Sequence, residues 1–312
     1  MQKGMARRLW TTACLVAMLH GATPLALKRR LRAPAKPKKR IKKQPPLPKL
    51  PENPPQAAAP ALVTSPEEHM AIVEAAVAAR ASEIRSALAE EGLYACEAFV
   101  DAGAVGAMAK EARGLDATLV PSQSTRWDGT QTVAYDKAGV RSTQILGGPS
   151  YAMAPRLTEY VVALTKSLSA AVDERPLSPS RQTNKLAVCD AVAASYPKHI
   201  DNGGGDDPRM LTAILYLAGC PRGGEFRAYA ATEDRVLAEV APRPGTFVCF
   251  WSDRLVHDVA EVAECAGPED ARWALTVWLC TDDPAAVEAT PPAVLEAHFP
   301  DADANAKPAA GP

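Results

Sequence analysis

The chain has 312 residues, 47% of them apolar, which is enough for one large globular domain or two ordinary ones. Its charge is unevenly spread, because residues 1–51 carry 14 Lys and Arg and no acid, whereas the rest holds 21 basic and 36 acidic residues. Such an acidic body argues against wrapping nucleic acid, which needs a basic surface. The seven cysteines show no CxxC pair and no zinc-finger spacing, so the sequence indicates no disulfide framework.

The N-terminus has the order of a targeting segment. Three basic residues precede an apolar run from Leu9 to about Leu19, and small residues follow. This pattern predicts a signal peptide over residues 1–27, with an organellar transit sequence or a marginal membrane anchor extended to Leu27 as alternatives. It favours the secretory pathway, the endoplasmic reticulum or an organelle, but the basic clusters that follow leave a cytoplasmic or nuclear location open.

The segments that flank the folded body are polar or rich in proline. Residues 28–64 combine Pro, Lys and Ala, and they cannot bury enough apolar surface to offset the entropy cost of ordering. We therefore expect a basic, disordered linker there and a disordered tail over residues 301–312. The folded domain is expected to span residues 65–300.

Helices dominate the first part of this domain, residues 65–175. Ser65 followed by a proline and two glutamates is typical of a helix N-terminus, which predicts a helix over residues 67–90. Further helices are predicted over residues 104–113 and 151–172, with strands and loops between them.

Strand-like apolar runs separated by Gly, Pro and Asp turns fill residues 184–282, and a last helix is predicted over residues 291–298. The runs cover residues 187–195, 210–217, 225–229, 246–251, 256–262 and 273–280. Helices followed by many short strands predict a mainly β protein of the α+β type, in which N-terminal helices brace a jelly-roll or barrel sheet.

Three residues within these runs are candidate metal ligands. His199 and Asp201 lie two positions apart and would share one face of an extended strand, and His257 follows 56 residues later. Two imidazoles and one carboxylate form the facial triad of non-haem iron(II) oxygenases. The alternative is a surface or helix-capping histidine at 199 and a buried histidine bonded to the backbone at 257.

Arg272 opens an apolar strand in which alternation would turn Arg272, Ala274, Thr276 and Trp278 to one face. An arginine that points into a barrel needs a bound anion to offset its desolvation, and a guanidinium suits a carboxylate. Tyr216 would offer its hydroxyl to the same anion or pack in the core.

Taken together, these segments resemble the 2-oxoglutarate- and iron(II)-dependent prolyl 4-hydroxylases, with the closest likeness to the HIF prolyl hydroxylase (EGLN-type) branch. The resemblance covers about residues 66–282. The motifs that carry it are Tyr196-x-x-His199-x-Asp201-Asn202, Gly223-Gly224, Phe250-Trp251-Ser252-Asp253-Arg254 with His257, and Arg272-Trp273-Ala274-x-Thr276-Val277-Trp278.

This resemblance implies a double-stranded β-helix in which His199, Asp201 and His257 hold Fe(II). The far carboxylate of the cosubstrate 2-oxoglutarate would lie on Arg272 and Tyr216, with Thr276 nearby. The implied reaction is hydroxylation of a peptidyl proline, as in the procollagen and HIF enzymes, coupled to decarboxylation of 2-oxoglutarate to succinate. Ascorbate is the reductant implied.

The resemblance also implies contacts to a proline-containing protein or peptide. They are expected from Arg126 and Asp128 in an upstream loop, from Arg254, and from Trp278, for which core packing is the alternative.

Two departures from the family pattern concern the surroundings of the cosubstrate. Cys189 is followed by Asp190 where the family has a tyrosine near the cosubstrate, and the interval 258–271 is longer than in the family. The simplest interpretation of that interval is a longer hairpin loop between two adjacent strands.

Three other functions remain open at this stage. The chain would be a 2-oxoglutarate hydroxylase of another substrate class, a non-catalytic jelly-roll module that retains metal, or a scaffold anchored to a membrane by its basic arm.

Overall fold

The computed structural model describes residues 65–127 and 132–299. The segments predicted as targeting sequence (1–27), linker (28–64) and tail (301–312) lie outside these residues. No helix in the described part of the chain has the length and apolarity needed to cross a bilayer.

Four α-helices form where apolar spacing and capping residues predict them. Ser65 begins the first helix with a capping box, since its hydroxyl accepts the Glu68 N–H at 3.2 Å and the Glu68 carboxylate accepts the Ser65 N–H at 2.8 Å. The prediction of a helix start at this serine is confirmed. The helices are α1 (Pro66–Glu90), α2 (Ala102–Gly114), α3 (Pro155–Ala171) and α4 (Pro292–His298).

Thirteen strands lie between these helices in the described part of the chain. They are β1 (Leu93–Cys96), β2 (Val120–Trp127), β3 (Thr132–Thr143), β4 (Gln182–Cys189), β5 (Tyr196–His199), β6 (Arg209–Ala218), β7 (Arg222–Gly223), β8 (Phe226–Tyr229), β9 (Val236–Val240), β10 (Phe247–Trp251), β11 (His257–Val259), β12 (Val262–Glu264) and β13 (Arg272–Cys280).

The strands form two main antiparallel sheets. The major sheet has seven strands in the order β1-β10-β6-β13-β4-β3-β2, and the minor sheet has four in the order β5-β11-β8-β9. Strands β7 and β12 form a separate pair. The fold is therefore the helix-braced jelly roll, or double-stranded β-helix, that the sequence predicts.

Both faces of the major sheet are covered, which explains why its central strands are nearly continuous apolar runs. One set of alternate side chains, such as Leu215 on β6 and Leu275 on β13, packs in the large core that includes α1, α2 and α3. The other set, including Ile214 and Ala274, faces the minor sheet and packs with Phe226. The helices thus hold one face of the sheet, and the opposite face is left to shape the interior of the β-helix.

The predicted hairpin over residues 258–271 is wrong. Strand β11, before this interval, pairs with β5 and β8 in the minor sheet, whereas β13, after it, pairs with β4 and β6 in the major sheet. The interval is a crossover between the sheets, and it contains β12, which pairs with β7. We call residues 258–271 the crossover segment.

A buried ion pair holds the turn after β10. Arg175 donates to both carboxylate oxygens of Asp253 at 2.8 and 2.6 Å, and its guanidinium lies 4.9 Å from the ring centroid of Trp251. The Glu288 N–H donates to the same carboxylate at 2.8 Å. Asp253 is 1% exposed, so its charge depends on these partners.

We predict that Arg175→Met lowers the free energy of unfolding by about 3–5 kcal/mol, because it leaves a buried carboxylate unpaired. The matched control is Arg254→Met at the next turn residue, whose pair with Glu288 is exposed and is expected to be worth below about 1 kcal/mol. Urea unfolding of both variants measures the difference, and equal losses would contradict the assignment. The double variant Arg175→Met/Asp253→Leu should recover most of the loss.

Candidate metal centre and cosubstrate cavity

The pairing of β5 with β11 places two histidines side by side. His199 ends β5, His257 begins β11, and the two are directly opposite in the antiparallel register. Their ring centroids are 4.3 Å apart. Residues 58 positions apart in sequence therefore present their imidazoles together, as the sequence predicts.

Asp201 completes the cluster. Its Oδ1 lies 3.4 Å from Nε2 of His199 and 3.9 Å from Nε2 of His257. One ligand atom from each of the three residues lies within 4.8 Å of the others, and no other such group of three His, Cys, Asp or Glu exists among the described residues.

Hydrogen bonds to the backbone orient both rings. Nδ1 of His199 donates to the carbonyl of Pro197 at 2.8 Å, and Nδ1 of His257 donates to the carbonyl of Leu255 at 3.0 Å. Because a carbonyl only accepts, each neutral ring carries its proton on Nδ1 and presents the lone pair of Nε2 to the cluster.

The two oxygens of Asp201 have different partners. Oδ2 accepts the hydroxyl of Thr212 at 2.7 Å and the indole N–H of Trp278 at 3.0 Å, whereas Oδ1 faces the imidazoles. The Thr212 hydroxyl in turn receives a hydrogen bond from Ser252 at 2.7 Å, since its own proton is used on the carboxylate. Oδ1 is thus left to bind a cation while Oδ2 is held.

Burial and charge set the protonation states that a metal needs. Burial, followed by the proximity of His199, lowers the pKa of His257 to about 4, so this imidazole is neutral at pH 7. Burial alone would raise the pKa of Asp201, but the adjacent imidazoles of His199 and His257 and the hydrogen bond from Trp278 outweigh it and lower that pKa. Two imidazole nitrogens and one carboxylate beside an open cavity fit Fe(II) in a facial triad.

Arg272 lies at another part of the same cavity. It is 3% exposed, its Nε donates to the Gly224 carbonyl at 3.0 Å, and one Nη donates to the Tyr216 hydroxyl at 3.2 Å. The other Nη has only the Cys189 thiol, at 3.9 Å. No described carboxylate pairs with this buried cation, which is the condition under which a bound anion is needed.

A glycine pair allows Arg272 to approach the backbone. Gly224 has a φ of +73°, and a Cβ there would lie 3.0 Å from Cδ of Arg272. Gly223 has a φ of +87°, and a Cβ there would lie 2.2 Å from the carbonyl oxygen of Glu261. A side chain at either position would displace the arginine or the crossover segment.

The cavity between the two sheets measures about 710 Å³. The triad, Arg272, Ala274 and Thr276 line it, and Trp278 is not among the lining residues but donates to Asp201, which is. The alternation predicted for β13 is therefore the arrangement in the structure.

The other predicted substrate contacts are placed differently. Arg126 belongs to β2, and Asp128 lies outside the described residues. Arg254 does not line the cavity, and its guanidinium contacts Glu288 at 2.5 Å on the surface. Their roles toward a substrate stay predictions.

Asp190, which departs from the family pattern, forms an ion pair away from the cavity lining. Its Oδ2 accepts Nε of Arg141 at 2.9 Å, and Arg141 also contacts Asp116 at 2.9 Å. The carboxylate thus joins β4 to the chain that follows α2, and it is not among the residues that line the cavity.

Sequence reasoning missed the hydroxyls and amines that surround the cluster. Thr212 and Ser252 are fully buried, and Lys137 and Lys185 line the cavity. A lone threonine in the apolar run of β6 is the signal that would have indicated Thr212, because a buried hydroxyl needs a partner.

One cavity of this double-stranded β-helix holds a His-x-Asp…His cluster and a buried arginine that pairs with no described carboxylate, a combination typical of mononuclear non-haem metal oxygenases. Residues 185–280, which contain all of these groups, match the family model of the 2OG-Fe(II) oxygenase superfamily. This part of the chain is therefore similar to 2OG-Fe(II) oxygenase domains, where 2OG is 2-oxoglutarate.

Solved structures of prolyl hydroxylases have the same fold. A prolyl-4-hydroxylase from Pseudomonas putida is 25% identical, with a TM-score of 0.51 over 65% of this chain and 99% of that one. A Trichoplax adhaerens prolyl hydroxylase in complex with a hypoxia inducible factor peptide fragment is 19% identical, with a TM-score of 0.53 over 72% and 95%. A prolyl 4-hydroxylase from Phytophthora capsici is 20% identical, with a TM-score of 0.52 over 73% and 69%. No curated protein matches the sequence.

We predict that Thr212→Val weakens divalent metal binding about tenfold or more, because Asp201 loses the hydrogen bond that orients it. Calorimetric titration with Mn(II) in the absence of dioxygen measures the change. The control is Thr165→Val in α3, another buried threonine, whose hydroxyl donates to the Val161 carbonyl. Equal metal affinity in the two variants would show that Thr212 does not position the ligand.

Proposed function

We propose that this protein is a prolyl 4-hydroxylase that couples decarboxylation of 2-oxoglutarate to succinate with hydroxylation of a peptidyl proline. The observation that carries the proposal is the presence of a metal-ligand cluster and an unpaired buried Arg272 in one cavity. The likeness to the Pseudomonas putida prolyl-4-hydroxylase and the motifs shared with that family support proline as the target.

His199, Asp201 and His257 would hold the iron, with their ligand atoms already directed by backbone and side-chain hydrogen bonds. When bound, Fe(II) supplies the dioxygen chemistry that no side chain can perform. The contribution of the chain is to bind the ion on one side only, so that the side facing the cavity stays open to ligands.

Arg272 would bind the far carboxylate of 2-oxoglutarate, supported by the hydroxyl of Tyr216 and by Thr276. Its planar fork matches a carboxylate in two-point contact, and burial excludes the water that would compete for it. The bonds to Gly224 and Tyr216 hold the guanidinium in place before the cosubstrate arrives. This pre-organisation lowers the entropy cost of binding.

A proline-containing peptide is the proposed partner, with Trp278, Arg126, Asp128 and Arg254 as proposed contacts. Trp278 is well placed to couple the substrate to the metal, because its indole already donates to Asp201. Ascorbate is the proposed reductant, as the family resemblance implies.

The test is anaerobic reconstitution with Fe(II) and 2-oxoglutarate, followed by air and proline-containing peptides. We expect succinate and a mass increase of about 16 on proline, one oxygen atom, as metal-assisted oxygenation requires. Succinate without peptide oxidation would indicate a 2-oxoglutarate hydroxylase of another substrate class. Absence of succinate, with His199→Ala indistinguishable from wild type, would favour a non-catalytic module.

We predict that Arg272→Leu weakens 2-oxoglutarate binding about 100-fold, because two charge-assisted hydrogen bonds are lost. Anaerobic calorimetry in the presence of Fe(II) measures the dissociation constant. Arg235→Leu is the control, since Arg235 is an exposed residue paired with Glu233. Unchanged affinity in Arg272→Leu would place the cosubstrate elsewhere.

A further inference from the structure

Two lysines face the cavity from neighbouring strands of the major sheet. Lys137 lies on β3 and Lys185 on β4, and both line the cavity that contains the triad. Their amines lie 4.4 and 5.4 Å from the ring centroid of Tyr196. Both lysine amines therefore lie against the ring of Tyr196.

Neither amine has a carboxylate partner among the described residues, in contrast to the other basic side chains near the triad. Lys198 contacts Asp234 at 2.5 Å, and Arg209 contacts Asp207 at 2.9 Å. The cavity lining holds five basic side chains, and its only carboxylate is Asp201, a proposed metal ligand. The two lysines are thus a local excess of positive charge.

This excess has an electrostatic cost. Burial, together with the proximity of Lys185, lowers the pKa of Lys137 to about 8, and burial lowers the pKa of Lys185. Stacking on Tyr196 attracts each ammonium by about 1 kcal/mol but does not neutralise it. A bound anion would remove the repulsion and satisfy both groups.

The position of Lys185 separates it from Arg272. In the pairing of β4 with β13, Lys185 is opposite Thr276, whereas Cys189 is opposite Arg272. The backbone positions of Lys185 and Arg272 are therefore four residues apart along the strands, about 13 Å at a rise of about 3.3 Å per residue. The Lys185 amine instead lies 5.5 Å from the ring centroid of Trp278, whose N–H is bonded to Asp201. Lys185 therefore lies toward the metal cluster, where the bond to be oxidised must be, and Lys137 on the neighbouring strand lies against the same Tyr196 ring.

Under the proposed function, both carboxylates of 2-oxoglutarate are already bound, one by the metal and the other by Arg272. We infer that Lys137 and Lys185 form a second carboxylate-binding site, which takes a carboxylate of the primary substrate near its reacting carbon. This inference rests on the proposed function. The carboxylate belongs to an acidic side chain beside the target proline or to a free amino acid, and both sources present the same group.

The test compares anionic and neutral ligands on the full-length, metal-free protein. Anisotropy measures binding of a labelled proline peptide with Glu on both sides of the proline and of its Gln counterpart, and calorimetry compares L-proline with L-prolinamide. In the wild type we expect the anionic member of one pair to bind about tenfold more tightly, the effect of one charge-assisted hydrogen bond.

In Lys137→Met/Lys185→Met this preference should disappear, and Lys137→Arg/Lys185→Arg should restore most of it. The control is Lys166→Met on α3, an exposed lysine paired with Glu74, which should keep the wild-type preference. The peptide arm and the amino-acid arm distinguish the two sources of the carboxylate.

Absence of any anion preference in the wild type, or a preference unchanged in the double methionine variant, would overturn the inference. A double variant that keeps the preference but loses affinity for 2-oxoglutarate would also overturn it, because the lysines would then bind the cosubstrate. Failure of the proposed function is a separate result, seen as absence of succinate formation by wild-type protein loaded with Fe(II).

Discussion

The register between β5 and β11 is the constraint on which the site depends. A slip of one residue would turn either His199 or His257 to the opposite face of the minor sheet and destroy the cluster. Asp258 opposes such a slip from the other face, because its carboxylate accepts two hydrogen bonds from Arg227 at 2.8 Å and one from Tyr229 at 2.7 Å. Moving Asp258 to the cavity side would leave its charge buried without these partners, so this largely buried ion pair on the other face of the sheet protects the arrangement of the histidines.

The site also depends on how the two sheets pack. The histidines belong to the minor sheet, whereas Thr212 and Trp278, which hold Asp201, belong to the major sheet. Asp201 therefore connects the sheets, with one carboxylate oxygen directed to each. The position of the major sheet relative to the metal ligands is held by the smaller core between the sheets, in which Phe226 of the minor sheet packs with Ile214 and Ala274 of the major sheet.

The parts of the site that sequence patterns predicted are those with local periodicity. The two-residue spacing of His199 and Asp201 and the alternation along β13 each follow from strand geometry alone. Thr212 and Lys185 could not be assigned in this way, because their importance comes from partners on strands distant in sequence. The crossover segment was predicted wrongly for the same reason: which strands become neighbours is set by the packing of the whole fold. The helix starting at Ser65 was predictable because a cap is a four-residue signal.

The pairing of β12 with β7 divides the crossover segment into two parts with different freedom to change during evolution. In its first part, Val262 is fully buried and pairs with Gly223 of β7. The carbonyl of the next residue, Gly224, accepts the hydrogen bond from Arg272. A change of length there would shift the anion-binding arginine. The part after Glu264 has a weaker attachment, the exposed ion pair between Glu269 and Arg113 of α2 at 3.4 Å. Relatives of this protein should therefore differ in length after β12 and keep a constant spacing before it.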